Sequence, residues 1–131
     1  MAQGRGSAAA GGQAAVALGL AVLCLLLAHV QMVEAATYTV GDSGGWSFNM
    51  ARWSRGKRFR AGDVLVFKYN PSVHNVVTVN AAGYNGCSTP RGSRVFTSGN
   101  DRVTLARGRN FFICNFAGHC QSGMKIAIVA A

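Results

Sequence analysis

The chain has 131 residues and a net charge of +9 at neutral pH. This length leaves room for one small domain and excludes several, and domains of this size often need extra bracing. The positive charge favours acidic partners over basic ones.

The first segment has the pattern of a secretory signal peptide. Residues 14–30 are apolar and follow Arg5, and Val33-Glu34-Ala35 offers small residues where a signal peptidase cleaves. We therefore predict a signal peptide at residues 1–35, removed after Ala35, and a secreted, extracellular domain at residues 36–131. An uncleaved membrane anchor is the alternative, but the run is short for a span.

The basic charge lies in the part of the chain that remains. Loss of Arg5 and Glu34 cancels, so the net charge stays +9. The densest basic run is RWSRGKRFR, residues 52–60. A secreted location argues against nucleic acid, so the candidate partners are an acidic polysaccharide, an anionic surface or an acidic redox protein. A solvated face without a partner is an equally good interpretation.

The remaining chain has the pattern of short β-strands between glycine-rich turns. Strands are predicted at residues 37–41, 63–70, 74–80 and 124–130, with two more inside 102–115 that join at Arg107-Gly108. A short helix is a weaker prediction for residues 46–58. Turns at intervals of about ten residues are typical of an all-β sandwich or barrel. Trp46, Trp53 and the phenylalanines are predicted to be core residues.

The segment CNFAGHCQSGM, residues 114–124, spaces three potential metal ligands evenly. Cys114, His119 and Met124 lie five residues apart. Neither a helix nor a strand brings such positions to one face. A loop is needed if they converge, and Gly118 and Gly123 permit its turns.

His74 completes a ligand set of two imidazoles, one thiolate and one thioether. Two histidines and a cysteine with a weak axial methionine form the blue-copper arrangement. Zinc is the nearest alternative, but methionine is not a usual zinc ligand. A cysteine–histidine nucleophile would leave Met124 unexplained. A copper oxidase would need further coppers, and no other histidine cluster is present to bind them.

An odd number of cysteines remains once Cys24 is removed with the signal peptide. Cys87, Cys114 and Cys120 allow three pairings in an oxidising environment. If His119 faces a metal, its neighbour in an extended segment faces away. Cys120 could then bridge to Cys87 and leave Cys114 as a thiolate ligand.

Three segments resemble the phytocyanins of plants, and within that family the plantacyanin branch. They are VGDSGGWSFN (40–49), KRFRAGDVLVFKYNPSVHNVV (57–77) and FFICNFAGHCQSGMKIA (111–127). The resemblance covers about residues 36–131. It implies a cupredoxin-like Greek-key β-sandwich with one type 1 copper. The implied copper ligands are His74, Cys114, His119 and Met124, and the implied disulfide is Cys87–Cys120.

The implied function is a one-electron carrier of the apoplast or cell wall, not an enzyme. It would act as a monomer that cycles between Cu(II) and Cu(I) with an unknown redox partner protein. His119 is the expected electron-transfer edge, and Asn75 is expected to hydrogen bond the thiolate. The alternative is a basic apoplastic signalling or adhesion factor that uses the copper domain as a scaffold.

Overall fold

A computed structural model describes residues 19–22 and 34–131. The predicted signal peptide, residues 1–35, lies almost wholly outside these residues, and its removal stays a prediction. Within the described part of the chain, no helix is long and apolar enough to cross a membrane.

The folded unit consists of two β-sheets, and the predicted all-β class is confirmed. One sheet has the strand order β1-β2-β5 and the other has the order β4-β3-β6-β7. The strands are β1 (Thr37–Thr39), β2 (Val64–Lys68), β3 (Val76–Val79), β4 (Arg94–Phe96), β5 (Asn100–Thr104), β6 (Gly108–Ile113) and β7 (Lys125–Ala130). Because β6 returns beside β3 after β4 and β5, the connection is of the Greek-key type.

All six predicted strands are present, and they differ from the observed ones mainly at their ends. The strand predicted at residues 37–41 stops at Thr39, and Gly41 adopts a left-handed φ of 78°. The strand predicted at 74–80 begins only at Val76, so His74 lies in the preceding loop. The two strands predicted to meet at Arg107-Gly108 are β5 and β6. β7 pairs with β6 along its whole length.

Two elements were not predicted from the sequence. β4 is only three residues long, and helix α1 (Ala81–Gly86) follows β3 directly. The side chain of Asn80 caps α1 by accepting a hydrogen bond from the amide of Gly83 at 2.8 Å. The weakly predicted helix at residues 46–58 is a 3₁₀ turn at Met50–Arg52.

The core lies between the two sheets. Leu65 and Phe67 of β2 pack with the buried faces of β6 and β7, where Ile126 and Ile128 alternate with exposed residues. Burial of each such side chain contributes roughly 1.5–3 kcal/mol. Trp46 is buried as predicted.

The prediction that all phenylalanines are core residues holds only in part, since three are buried (Phe59, Phe67 and Phe112) and three are half-buried (Phe96, Phe111 and Phe116). Phe48 is 36% exposed, because the loop after Trp46 carries it to the surface.

Candidate metal centre

His74 is positioned by a tight turn that precedes β3. The side chain of Asn70 accepts a hydrogen bond from the Ser72 amide at 3.0 Å, and its carbonyl accepts one from the His74 amide at 3.1 Å. The intervening Pro71 suits such a turn because its φ is restricted. The imidazole is therefore held by backbone bonds at the end of the sheet.

Cys114 and Met124 stand opposite each other where β6 and β7 end. The Cys114 amide donates to the Met124 carbonyl at 3.0 Å, so the pairing of the two strands extends one step beyond their named limits. Both side chains are completely buried and belong to the same core cluster. The ends of β6 and β7 thus position the thiol of Cys114 and the thioether of Met124.

His119 lies in the loop that joins these two residues. Its amide donates to the Phe116 carbonyl and its carbonyl accepts from the Met124 amide, both at 3.0 Å. Gly118 and Gly123 have φ values of 79° and 95°, as their predicted role in turning the chain requires.

Gly123 also permits a close contact with the loop that carries Asn49. A β-carbon at Gly123 would lie 3.3 Å from the Asn49 backbone nitrogen, whose amide donates to the Gly123 carbonyl.

Three of the four predicted ligands converge. His74 Nδ1 lies 3.1 Å from His119 Nδ1, and Cys114 Sγ lies 3.5 Å from His119 Nδ1. All three donor atoms lie within 4.8 Å of one another. Metal–nitrogen bonds of about 2.0 Å and a metal–sulfur bond of about 2.3 Å can meet at one point between atoms so spaced. The donor set therefore fits a single ion.

Asn75 does not make the bond that was expected of it. Its side chain donates to Asn115 Oδ1 at 2.6 Å and accepts from the Asn115 amide at 3.0 Å, rather than bonding the sulfur of Cys114. Its carbonyl accepts a bond from Trp46 Nε1 at 3.0 Å. Asn75 thus ties the His74 loop to the residue after Cys114, which fixes the spacing of these two ligands.

The second cysteine of the loop, Cys120, is part of a disulfide and is not a free thiol. Cys120 forms a disulfide with Cys87, and Cys114 is a free, buried thiol. The loop around Cys120 is a series of turns rather than the extended segment assumed above. Cys87, at the end of α1, adopts a left-handed φ of 50°. The bridge fastens the His119 loop to α1.

The electrostatic surroundings favour a neutral imidazole at His74. Burial lowers the pKa of His74 below its usual value, and the neighbouring His119 lowers it further. Neutral imidazole is the form that binds metals. At Tyr69, which directly follows β2, burial and a hydrogen bond to Asp101 raise the pKa to about 12.

Aromatic rings surround the outer side of the centre. The Phe48 ring centroid lies 5.9 Å from that of His74 and 5.3 Å from that of His119. Phe116 lies 5.9 Å from His119. His119 itself is half-buried and lies between these apolar neighbours. Sequence reasoning missed Phe48, although SGGWSFN was among the segments singled out.

Comparisons with known proteins agree with this geometry. A family model described as a plastocyanin-like domain matches residues 45–124, which include all four predicted ligands. The chain is 60% identical to a basic blue protein of Arabidopsis thaliana over 130 residues, which is 99% of either chain. It is 58% identical to a chemocyanin of Lilium longiflorum over the full length of both.

A solved structure shares the fold as well. The structure of cucumber basic protein, titled a blue copper protein, superposes with a TM-score of 0.72 at 61% identity. The superposition covers 73% of this chain and 100% of the cucumber chain. The cupredoxin-like sandwich predicted from the sequence is thereby confirmed.

Proposed function

Because the chain belongs to the phytocyanin family, and within it to the basic blue proteins or plantacyanins, we propose that it holds one type 1 copper ion and carries single electrons. It does so as a carrier and not as an enzyme. The proposed ligands are His74, Cys114, His119 and Met124.

One observation carries the proposal: the donor atoms of His74, Cys114 and His119 lie within 4.8 Å of one another. Two imidazoles and one thiolate are the equatorial set of a blue-copper site. Met124 is buried beside Cys114 and is the candidate for the weak axial position. The same positions would serve zinc less well, because a thioether is not a usual zinc ligand.

Hydrogen bonds within the protein fix the positions of the proposed ligands. Cys114 and Met124 are joined by a backbone hydrogen bond, and Asn75 links the loop of His74 to Asn115. When bound, copper supplies reversible one-electron exchange between Cu(II) and Cu(I). A rigid set that suits both oxidation states keeps the reorganisation on electron exchange small.

The surface at His119 is the proposed contact for a redox partner. The half-buried His119 is flanked by Phe48 and Phe116, which offer an apolar area without charge. A partner protein docking there would approach a ligand directly. The net charge of +9 would favour an acidic partner over a basic one.

Replacement of the thiolate tests the copper assignment. We expect Cys114→Ser to abolish the intense thiolate-to-copper absorption of the Cu(II)-loaded domain, because the hydroxyl is a poor replacement ligand. Ser122→Ala, on the exposed side of the same loop, is the matched control and should keep the colour. Retention of the blue colour in Cys114→Ser would exclude the proposed site.

The chain is also proposed to be secreted to the apoplast or cell wall after removal of residues 1–35. This rests on the apolar run 14–30 and the small residues before Ala36. Expression in a secreting plant cell, followed by intact-mass measurement, should give a chain that begins at Ala36. A retained leader or a different first residue would contradict the proposed boundary.

A second function has its own support in the basic run 52–60. Arg52, Arg55, Arg58 and Arg60 are exposed, as an adhesion or signalling surface requires. Phe59 forms a parallel β-bridge with Ala130, which lies at the far end of β7 from Met124. Six residues of strand separate these ends by about 20 Å. Arg58 and Arg60 are therefore remote from the metal centre.

This distance makes the two functions separable. We would replace Arg55, Lys57, Arg58 and Arg60 by glutamine and measure both redox cycling and binding to an acidic polysaccharide. Loss of polysaccharide binding with unchanged redox cycling would favour the signalling or adhesion function. Unchanged binding would leave the electron carrier as the supported function.

A further inference from the structure

A buried carboxylate lies at the beginning of the folded domain. Asp63 is only 4% exposed. Its Oδ1 accepts a hydrogen bond from the Ala36 nitrogen at 2.9 Å, and its Oδ2 accepts one from the Arg60 amide at 2.8 Å. The Arg60 side chain is exposed, so this residue contributes its backbone rather than its charge. A buried carboxylate is costly unless a positive group or sufficient hydrogen bonds compensate it.

The Ala36 nitrogen is held at this carboxylate by the sheet. The Ala36 carbonyl accepts a bond from the Val64 amide at 2.9 Å, and the next residue, Thr37, pairs with Val64 at the start of the parallel β1–β2 ladder. Asp63 directly precedes that ladder on the other strand. The sheet therefore holds the Ala36 nitrogen against the Asp63 carboxylate, and no flexible chain end has to be ordered for this contact.

The same nitrogen belongs to the peptide bond at the proposed cleavage site. In the uncleaved chain it is a neutral amide with one hydrogen. Cleavage after Ala35 would convert it into an ammonium group with three hydrogens. The ordinary pKa of an α-amino group is about 7.7–8.0, so it is charged at neutral pH and below. A hydrogen bond with one ionised partner is already roughly twice as strong as a neutral one, and cleavage would add a positive charge on the donor to the negative charge on the acceptor.

We propose that Asp63 is the binding site for the α-ammonium group that cleavage creates on Ala36. Removal of the leader then adds an ion pair to the edge of the core and stabilises the mature domain relative to its precursor. This rests on the cleavage proposed above and is independent of copper. A cut one residue earlier or later would move the charge by about 3.3 Å along the strand and out of hydrogen-bonding distance.

The test compares two metal-free forms of residues 36–131 that differ only at the terminal nitrogen. One has a free α-amine and the other is Nα-acetylated, which restores the neutral amide of the precursor. Urea unfolding at pH 6.5 with the disulfide intact measures the difference. We expect acetylation to raise the unfolding equilibrium constant about tenfold, because it keeps the N–H donor but removes the positive charge that faces the Asp63 carboxylate. Equal stability of the two forms would overturn the proposal.

Variants at two carboxylates assign the effect to its partner. In Asp63→Asn, which preserves shape, acetylation should change the unfolding constant less than twofold. Asp42→Asn removes the same charge at an exposed position and should keep the tenfold effect. An unchanged acetylation effect in Asp63→Asn would refute the assignment to Asp63.

A chain that begins at Glu34 provides a further measurement if Asp63→Asn does not fold. It should match the acetylated form, and stability equal to that of the free-amine form would contradict the proposal. The mass of the secreted protein tests the cleavage separately, so failure of the boundary and failure of the ion pair are distinguishable.

Discussion

Opening the Cys87–Cys120 disulfide should destabilise the domain by an amount that its position in the chain determines. The bridge joins residues separated by 33 positions. The loss of loop-closure entropy in the unfolded chain corresponds to about 3.7 kcal/mol at 25 °C. Cys120 is buried against Val77 and Ile113, so replacement by alanine adds a small cavity that costs about 1 kcal/mol.

The assay is urea unfolding of the double variant Cys87→Ala/Cys120→Ala in the metal-free state. We expect a total loss of about 4–5 kcal/mol, equivalent to a fall in Tm of about 15–30 °C for a domain of this size. The dependence of the unfolding free energy on urea should also become steeper, because the unfolded chain expands.

Cys114→Ala is the matched control, since it deletes a buried sulfur without opening a loop. It should cost only the cavity and leave the urea dependence unchanged. A loss of less than about 1 kcal/mol in the double variant would refute the loop-entropy reasoning. Such a result would mean that the unfolded chain is restricted even without the disulfide.

Three further predictions concern pH and packing. Because the pKa of His74 is lowered on folding, the unfolded chain binds the proton more readily than the folded one. The stability of the metal-free domain should therefore fall as the pH drops below about 6.5. Urea unfolding across pH 4.5–7.5 measures this fall, which should be shallower in His74→Gln. The raised pKa of Tyr69, about 12, predicts that stability declines between pH 10 and 12. Tyr69→Phe should remove that decline and cost about 1–3 kcal/mol by depriving the buried Asp101 of a donor, whereas Tyr84→Phe should leave both unchanged in the same titration. Phe112→Ala should cost about 3–5 kcal/mol in urea unfolding, since the ring is buried between the sheets, and a loss below 1 kcal/mol would contradict its assignment to the core.

The parts of the fold with regular alternation could be predicted from the sequence. β7 shows Ile126 and Ile128 two residues apart with small or exposed residues between them, which is the period of a half-buried strand. β4 could not be found in this way, because three residues carry no measurable period. Helix α1 was not predicted, because its sequence includes two glycines and its start depends on the cap at Asn80.

The candidate site was predictable where residue chemistry alone is distinctive. The spacing of Cys114, His119 and Met124, with glycines before two of them, indicated a ligand loop, and the structure brings the first two to His74. The partner of Asn75 was not predictable, because hydrogen-bond pairing with Asn115 depends on how two distant loops meet. The position of Phe48 beside the two histidines was not predictable for the same reason.

The most direct test of a type 1 copper site is paramagnetic resonance of residues 36–131 loaded with one equivalent of Cu(II), recorded together with the visible spectrum. We expect an intense blue band and an unusually small copper hyperfine splitting, because a thiolate and two imidazoles share the unpaired electron in a compact site. A pale solution with ordinary hyperfine splitting would show that Cys114 does not bind the ion with His74 and His119, and would contradict the proposed type 1 copper site.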